Sequence, residues 1–234
     1  MAREAIRENL QRIQAGIEAA ASRAGRKAGE VTLVAVSKTH PADAISAAFD
    51  AGIRHFAENR VQEWETKRAA LVDLPARWHL VGHLQSNKAA RAARLFQSVD
   101  SVDDFALAER LHRARSQANA PEKLRVLLEV RLAPEEAKSG AEIAELSRMA
   151  EQVAALEHLD VAGLMCIPPY REIPEEARPF FRKLRELRDD LEKRLGRRLE
   201  VLSMGMSHDF EVAIEEGATE VRIGTALFGE RPKP

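Results

Sequence analysis

The sequence has little cysteine, few aromatic residues and no excess of either charge. A single cysteine, Cys166, cannot form an internal disulfide, so the cross-linked framework of small secreted domains is excluded. Lys and Arg number 36 against 37 Asp and Glu, and this balance argues against a broad nucleic-acid surface. No apolar run approaches the roughly 18–20 residues of a membrane span, and the charged N-terminal stretch lacks a signal-peptide core. We therefore expect a cytoplasmic protein that binds neither nucleic acid nor membranes.

Two glycine-rich signatures are also missing. No Gly-x-Gly-x-x-Gly opens a helix after a strand, and no Gly-Lys-Ser/Thr occurs, which disfavours a dinucleotide or ATP enzyme. What is present is the composition of an ordinary globular protein, with 45% hydrophobic and 31% charged residues. Because no Pro/Gly/Ser-rich linker interrupts the chain, we expect one domain over residues 1–234.

Hydrophobic periodicity predicts a helix followed by alternating strands and helices. Ile6, Leu10, Ile13 and Ile17 form one apolar helical stripe, and Gly25 is a plausible end of that helix. The predicted strands are 31–38, 55–59, 78–83, 97–101, 125–132, 159–167, 200–206 and 220–228. Helical patterns occupy 41–52, 60–72, 86–94, 103–117, 140–156, 175–195 and 208–216.

Two of these helices carry recognisable ends. Ser139 with Glu142 reads as a capping box, and Gly217 reads as a helix stop. Strands that alternate with helices indicate parallel βαβ units, and eight units in this length are typical of a (β/α)8 barrel. We therefore predict a TIM-type (β/α)8 barrel with an extra N-terminal helix. A doubly wound open sheet remains the alternative, because a strand count does not prove closure.

Lys38 ends a nearly continuous apolar strand. In barrel enzymes, reactive groups lie at the C-terminal ends of strands, so a buried strand would carry this amine to the barrel mouth. Removal from water favours the neutral amine that Schiff-base chemistry requires. The alternative is a lysine that extends to solvent, and position alone favours that alternative.

Two segments near the end of the chain have the character of an anion site. Ser207 precedes a predicted helix and Gly205 lies in the turn before it, and a helix N-terminus attracts phosphate. The ordinary alternative is that Ser207 only caps the helix. Gly224 and Thr225 end the last strand, and barrels often bind phosphate with the loops after strands 7 and 8.

Other candidate residues have simpler interpretations. His79 and His83 would share one face of a strand, but no third ligand is evident, so we predict no metal site. Cys166 lies in an apolar run and is interpreted as a small core residue rather than a nucleophile.

Five blocks of the sequence resemble a known family. They are AVSKTHP (35–41), FAENRVQE (56–63), WHLVGHLQSNK (78–88), GLMCIPP (163–169) and LSMGMSHDFEVAIEEGATEVRIGTALFG (202–229). Together they resemble the pyridoxal phosphate homeostasis protein family, whose members are similar to the barrel domain of bacterial alanine racemase standing alone. The resemblance spans about residues 5–230. The chain keeps the family's Lys138 and departs from its pattern at Ala57 and at residues 131–132.

The resemblance implies pyridoxal 5'-phosphate (PLP) bound as a Schiff base, an aldimine, on Lys38. It also implies a phosphate cradle, an arginine at the pyridine nitrogen and residues that line the ring pocket. The implied cradle consists of Ser203, Met206, Ser207, Gly224 and Thr225. The implied arginine is Arg222, and the implied ring-pocket residues are Asn59 and His79.

The same resemblance implies a function in vitamin B6 metabolism. Because an arginine at the pyridine nitrogen cannot accept a proton, PLP held there would be a weak electron sink. We therefore expect a carrier that buffers PLP and supplies it to apoenzymes, without robust turnover. Short loops and the absence of an evident apolar patch in the sequence predict a monomer. The alternative is a PLP-dependent racemase or lyase of low activity, although alanine racemase takes its second base from a separate C-terminal domain that we expect this protein to lack.

Overall fold

The computed structural model describes residues 2–118, 120–133 and 139–230, and the strands in these ranges close into a barrel. All pairs are parallel and follow chain order, and β8 pairs with β1 to complete the ring. The strands are β1 (Thr32–Val36), β2 (His55–Glu58), β3 (Arg77–Leu80), β4 (Ser98–Val102), β5 (Leu124–Glu129), β6 (Leu159–Met165), β7 (Val201–Met206) and β8 (Glu220–Ile223). The predicted (β/α)8 barrel is therefore confirmed, and the open-sheet alternative is wrong.

Helices surround this barrel. They are α1 (Ala2–Arg23), α2 (Ala42–Asp50), α3 (Val61–Lys67), α4 (Ala89–Leu95), α5 (Phe105–Gln117), α6 (Ile143–Ala154), α7 (Arg178–Leu195), α8 (Phe210–Glu215) and α9 (Thr225–Phe228). Short 3-10 segments lie at Ala28–Glu30, Arg68–Leu71, Ser86–Lys88 and Pro174–Ala177. None of the helices in the described ranges has the length and apolar character needed to cross a bilayer.

The predicted extra helix, α1, takes the place of a long helix after β8. Its stripe of Ile6, Leu10, Ile13 and Ile17 is buried, as the periodicity predicts. It packs against α2, α8 and α9, and Asn9 Nδ2 donates to the Leu227 carbonyl oxygen at 2.8 Å. Because α9 is only four residues long, α1 covers the barrel flank that this short helix leaves open.

The two faces of the barrel wall differ in polarity. The outward faces join the helices in the main hydrophobic core, whereas a small separate cluster is formed by Val34, Ala57 and Val81. Arg125 on β5 donates to Glu220 on β8 at 3.0 Å, a contact between strands that are not neighbours and that therefore crosses the barrel. TIM barrels are usually filled by branched apolar residues, so this charged interior is a distinguishing feature of the chain.

Some predictions about local structure are wrong. The strand predicted for 220–228 ends at Ile223, because the backbone turns at Gly224 and residues 225–228 become α9. The strand predicted for 125–132 ends at Glu129. Ser139 does not cap α6: its hydroxyl donates to Glu129 Oε1 at 2.8 Å, and the helix begins at Ile143 without a side-chain cap. Gly217 does follow a helix end, as predicted.

Candidate functional site

A cavity of about 230 Å³ opens at the C-terminal ends of β1, β7 and β8. Six of the nine residues predicted to bind a cofactor line it: Lys38, Met206, Ser207, Arg222, Gly224 and Thr225. Val36, His40, Tyr170 and His208 complete the lining. The loops that follow the first and last strands thus meet at one mouth of the barrel, because β1 and β8 are neighbours in the closed sheet.

Lys38 lies two residues beyond the end of β1 and is half-buried. The next residue, Thr39, has a φ of 66°, in the left-handed region that β-branched residues rarely occupy. Such a conformation costs about 1–3 kcal/mol and persists only where the surroundings enforce it. The loop that carries the amine is therefore held in shape by contacts with the rest of the protein.

Arg222 on β8 is buried, and its guanidinium is fixed from two sides. It donates to Ser203 Oγ and to the Cys166 carbonyl oxygen, both at 2.8 Å. Ser203 does not line the cavity and lies behind Arg222. The cation is thereby presented to the cavity with little rotational freedom.

The loop after β7 and the turn after β8 are joined where the sequence predicts an anion cradle. Ser207 Oγ accepts from the Ala226 backbone N–H at 3.2 Å, which links the two segments. Ser207 is not the cap of α8, which begins at Phe210 after Asp209. Asp209 Oδ1 instead accepts from the Met206 backbone N–H at 2.7 Å, and burial raises the pKa of its carboxyl group.

Asn59 and His79 are not among the residues that line this cavity. Asn59 lines a separate surface cavity with Arg60 and Lys88. His79 is buried within the barrel, where its Nδ1 is 2.9 Å from Asp100 Oδ2 and its Nε2 is 3.0 Å from His55 Nδ1.

The pKa shifts of the two histidines are opposite and agree with this hydrogen bonding. Burial, with the nearby His79, lowers the pKa of His55 to about 4. Burial alone would also lower the pKa of His79, but the Asp100 carboxylate outweighs it and raises that pKa. A protonated His79 donates from both ring nitrogens, to Asp100 and to a neutral His55.

His79, Asp100 and Glu220 form a cluster whose ligand-type atoms all lie within 4.8 Å of one another. The geometry does not favour a metal ion, because both His79 nitrogens are already hydrogen-bonded and Arg125 neutralises Glu220. The His79–His83 pair considered from the sequence does not form, because β3 ends at Leu80 and His83 is exposed.

Cys166 is buried, and burial raises the pKa of its thiol to about 12. A thiol in this state is a poor nucleophile, which supports its interpretation as a core residue. Its backbone carbonyl nevertheless contributes to the site by holding Arg222.

The sequence analysis selects neither Tyr170 nor His208 as a site residue. Both line the Lys38 cavity and also a neighbouring cavity of about 380 Å³ that contains the buried Glu129. Burial raises the pKa of the Glu129 carboxyl group. The local signal for a loop after β6 is the Pro168–Pro169 pair, which directly precedes Tyr170. Lys138, retained from the family pattern, lies outside the described residues.

Comparison with known proteins identifies the family to which the chain belongs. The alanine racemase N-terminal domain family matches residues 3–232. Pyridoxal phosphate homeostasis proteins of Aquifex aeolicus and Pseudomonas aeruginosa are 46% and 47% identical, over 96% and 97% of this chain and 97% and 96% of theirs. The structure of PipY from Synechococcus elongatus PCC7942 with PLP bound has 41% identity and a TM-score of 0.85, covering 96% of this chain and 100% of that one. The chain therefore belongs to the alanine racemase N-terminal domain family and, within it, to the pyridoxal phosphate homeostasis proteins.

Proposed function

We propose that this protein binds PLP covalently through Lys38 and serves PLP homeostasis by storing the cofactor and releasing it to apoenzymes. The observation that carries the proposal is the convergence of a lysine, a fixed arginine and a glycine-containing anion cradle on one cavity. The PipY relative was solved both with PLP bound and without it.

The residues present fit the chemical parts of PLP. The Lys38 amine is suited to the aldehyde, and the Ser207 and Gly224–Thr225 segments offer hydroxyl and backbone groups to the phosphate. When bound, PLP supplies an aldehyde that condenses with amines and a ring that can withdraw electrons. Arg222 would face the pyridine nitrogen, with Ser203 fixing its orientation from behind.

Arg222 also favours a carrier over an enzyme. An acidic partner at the pyridine nitrogen would keep that nitrogen protonated and the ring strongly electron-withdrawing. Arginine has only donors and keeps its own proton, so the ring nitrogen would stay neutral. This weakens the stabilisation of carbanions on which racemisation and transamination depend.

The covalent site is tested by a visible absorption spectrum with PLP, followed by borohydride reduction and peptide mass mapping. We expect the added pyridoxyl mass on the peptide that contains Lys38, and its loss in Lys38→Ala, with weak phosphate-dependent binding retained. Lys193→Ala is the matched control, because that side chain is 77% exposed on α7. A colourless protein after incubation with PLP would remove the site assignment.

A racemase or lyase of low activity is the competing function, and the position of Tyr170 at the cavity is the observation that favours it. Incubation of the loaded protein with amino acids in deuterated water separates the two. Deuterium at Cα that disappears in Tyr170→Phe would support the enzyme. Transfer of PLP to an apoenzyme without exchange at Cα would support the carrier.

We further propose that the recipient apoenzymes approach the loop that carries Tyr170 and that the protein acts as a monomer. Among the described residues, the exposed large hydrophobic side chains include Ile167, Tyr170 and Ile173, all in this loop. Light scattering at several concentrations tests the monomer. The rate of PLP transfer to an apoenzyme, measured for Ile173→Ser and for Val72→Ser on another surface, tests whether apoenzymes approach this loop.

A further inference from the structure

A partly buried ion cluster lies behind the loop that carries Lys38. It consists of Glu58 at the end of β2 and Glu63 and Lys67 on α3, and we call it the Lys67 cluster. We propose that the Lys67 cluster positions Lys38, so that its amine meets the PLP aldehyde. The inference rests on the proposed function, since it concerns how the same lysine is presented.

Lys67 uses its full donor capacity in these contacts. Its Nζ donates to the Ser37 carbonyl oxygen at 3.0 Å, to Glu63 Oε1 at 2.6 Å and to the two carboxylate oxygens of Glu58 at 3.1 and 3.4 Å. An ammonium group has three N–H bonds, so the Ser37 carbonyl, the Glu58 carboxylate and the Glu63 carboxylate can each receive one of them. The Lys67 side chain is only 13% exposed, which limits competition from water.

The cluster forms hydrogen bonds with the backbone on both sides of Lys38. On one side, Lys67 binds the Ser37 carbonyl while Ser37 Oγ donates to Glu58 Oε1 at 2.7 Å. On the other side, Glu63 Oε1 accepts from the Thr39 backbone N–H. Thr39 is the residue with the left-handed backbone, so the Glu63 contact falls where the loop needs an external constraint.

The charge and burial of the cluster are unusual for a purely stabilising contact. Glu58 is fully buried, and this burial raises the pKa of its carboxyl group despite the opposing effect of Lys67. Burying ions costs desolvation that their attraction only partly repays, and an apolar replacement is often as stable. Apolar side chains, however, could not bind the Ser37 carbonyl or the Thr39 N–H. None of the three cluster residues lines the Lys38 cavity, so their effect on PLP acts through Lys38.

The condensation joins Lys38 Nζ to the aldehyde carbon, and the carbonyl oxygen leaves as water with two hydrogens from the amine. This step depends on the approach of the amine, whereas phosphate binding does not. Two probes therefore separate positioning from general damage. PLP reports the covalent step, and pyridoxamine 5'-phosphate, which lacks the aldehyde, reports non-covalent binding in the same cavity.

The experiment measures stopped-flow formation of the covalent linkage and the Kd for pyridoxamine 5'-phosphate in Lys67→Met. We expect the linkage rate to fall about tenfold or more, since misplacement of a reacting group by about 1 Å can cost up to about 100-fold. The Kd for pyridoxamine 5'-phosphate should stay within about twofold of the parent, the ordinary effect of a change that leaves the cavity wall intact. Lys193→Met is the exposed control on α7.

An unchanged linkage rate in Lys67→Met would overturn the inference, and so would a rise in the Kd for pyridoxamine 5'-phosphate as large as the fall in the linkage rate. If Lys67→Met does not fold, Glu63→Ala decides, because it removes the Thr39 contact from a partly exposed position. The parent protein tests the proposed function before any variant is made. If the parent forms no covalent linkage between PLP and Lys38, the proposed function is refuted, whatever the variants do. A parent that forms the linkage with unaffected variants refutes only the positioning role.

Discussion

Arg222 on β8 donates a guanidinium N–H to Ser203 Oγ on β7 across 2.8 Å, in a fully buried contact. Both residues are implied as cofactor contacts by the family resemblance, but only Arg222 lines the cavity. Ser203 therefore orients the Arg222 guanidinium. The second acceptor of that guanidinium is the carbonyl oxygen of Cys166, in the loop after β6. Three segments of the barrel thus determine the direction of one guanidinium group.

Replacement of Ser203 by alanine should destabilise the protein and weaken PLP binding. The buried guanidinium would lose one acceptor, and an unsatisfied buried donor costs about 1–3 kcal/mol. We expect the free energy of unfolding to fall by that amount, about 1–3 kcal/mol, and the Kd for PLP to rise about threefold to tenfold as Arg222 becomes mobile. Denaturant titration and equilibrium binding measure both quantities. Ser116→Ala, at an exposed position on α5, is the control, and equal values for the two variants would contradict the prediction.

Substitution of Gly205 by alanine should destabilise the end of β7, next to the anion cradle. Gly205 has a φ of 90°, and an added Cβ would lie 2.5 Å from Ala213 Cβ and 2.9 Å from Phe210 Cα. Backbone strain and the clash together predict a loss of about 2–4 kcal/mol. Gly29→Ala is the matched control, because its φ is not positive and no atom lies within 4 Å of the new methyl group. Chemical denaturation of both variants distinguishes them. Similar denaturation midpoints would refute the prediction that position 205 requires glycine.

Cys166 should resist alkylation in the folded protein. It is buried, and its pKa of about 12 leaves almost no thiolate near neutral pH. We expect iodoacetamide to modify the native protein at least about 100-fold more slowly than the unfolded chain. Intact mass spectrometry over time measures this ratio, and rapid modification of the native protein would contradict the burial.

The His79–Asp100 pair predicts how stability changes with pH. The folded pKa of His79 is raised above its unfolded value, so its contribution is complete below that value and is lost as the pH rises through the folded pKa. We therefore expect the free energy of unfolding of the parent to decline above about pH 6.5. The titration of His55 has the opposite effect on the free energy of unfolding, because its pKa is lowered to about 4. Its contribution is lost as the pH falls below about 6.5 and does not affect the decline above that pH.

Asp100→Asn should flatten this decline, since the neutral amide no longer raises the pKa of His79. Near pH 6 the variant should be less stable than the parent by about 3–5 kcal/mol, the usual cost of removing one partner of a buried pair. Unfolding curves at several pH values measure both effects, and His83→Gln provides an exposed control. Parallel pH profiles for parent and Asp100→Asn would rule out the pairing as the source of the shift.

Much of the fold could be predicted from the sequence because its signals are local. The apolar stripe of α1 and the alternation of β-rich and helical segments depend only on neighbouring residues. Strand ends were less predictable: β8 stops at Ile223 because Gly224 turns the backbone, although residues 225–228 remain apolar enough to continue a strand. Ser139 matched a capping pattern, yet its hydroxyl donates a hydrogen bond to the buried Glu129 carboxylate instead of capping the helix.

The site was predictable where its residues follow strand ends, as Lys38, Gly224 and Thr225 do. The barrel interior was not, because contacts such as Arg125–Glu220 join side chains of distant strands and depend on register. The Lys67 cluster was missed for the same reason. Its lysine reads locally as an ordinary i,i+4 partner of Glu63 on a helix, and only the fold brings it beneath Ser37.

The packing of α1 on α8 and α9 has a consequence for how the chain is made. Ribosomes deliver α1 first among the described elements, whereas α8 and α9 emerge roughly 190 residues later, which at about 5–20 residues per second is about 10–40 s. Throughout that interval, the apolar stripe of the helix lacks part of the surface that covers it in the finished protein. The nascent chain therefore passes through a period in which chaperones have a hydrophobic helix to recognise, and that period ends when the last elements join the first.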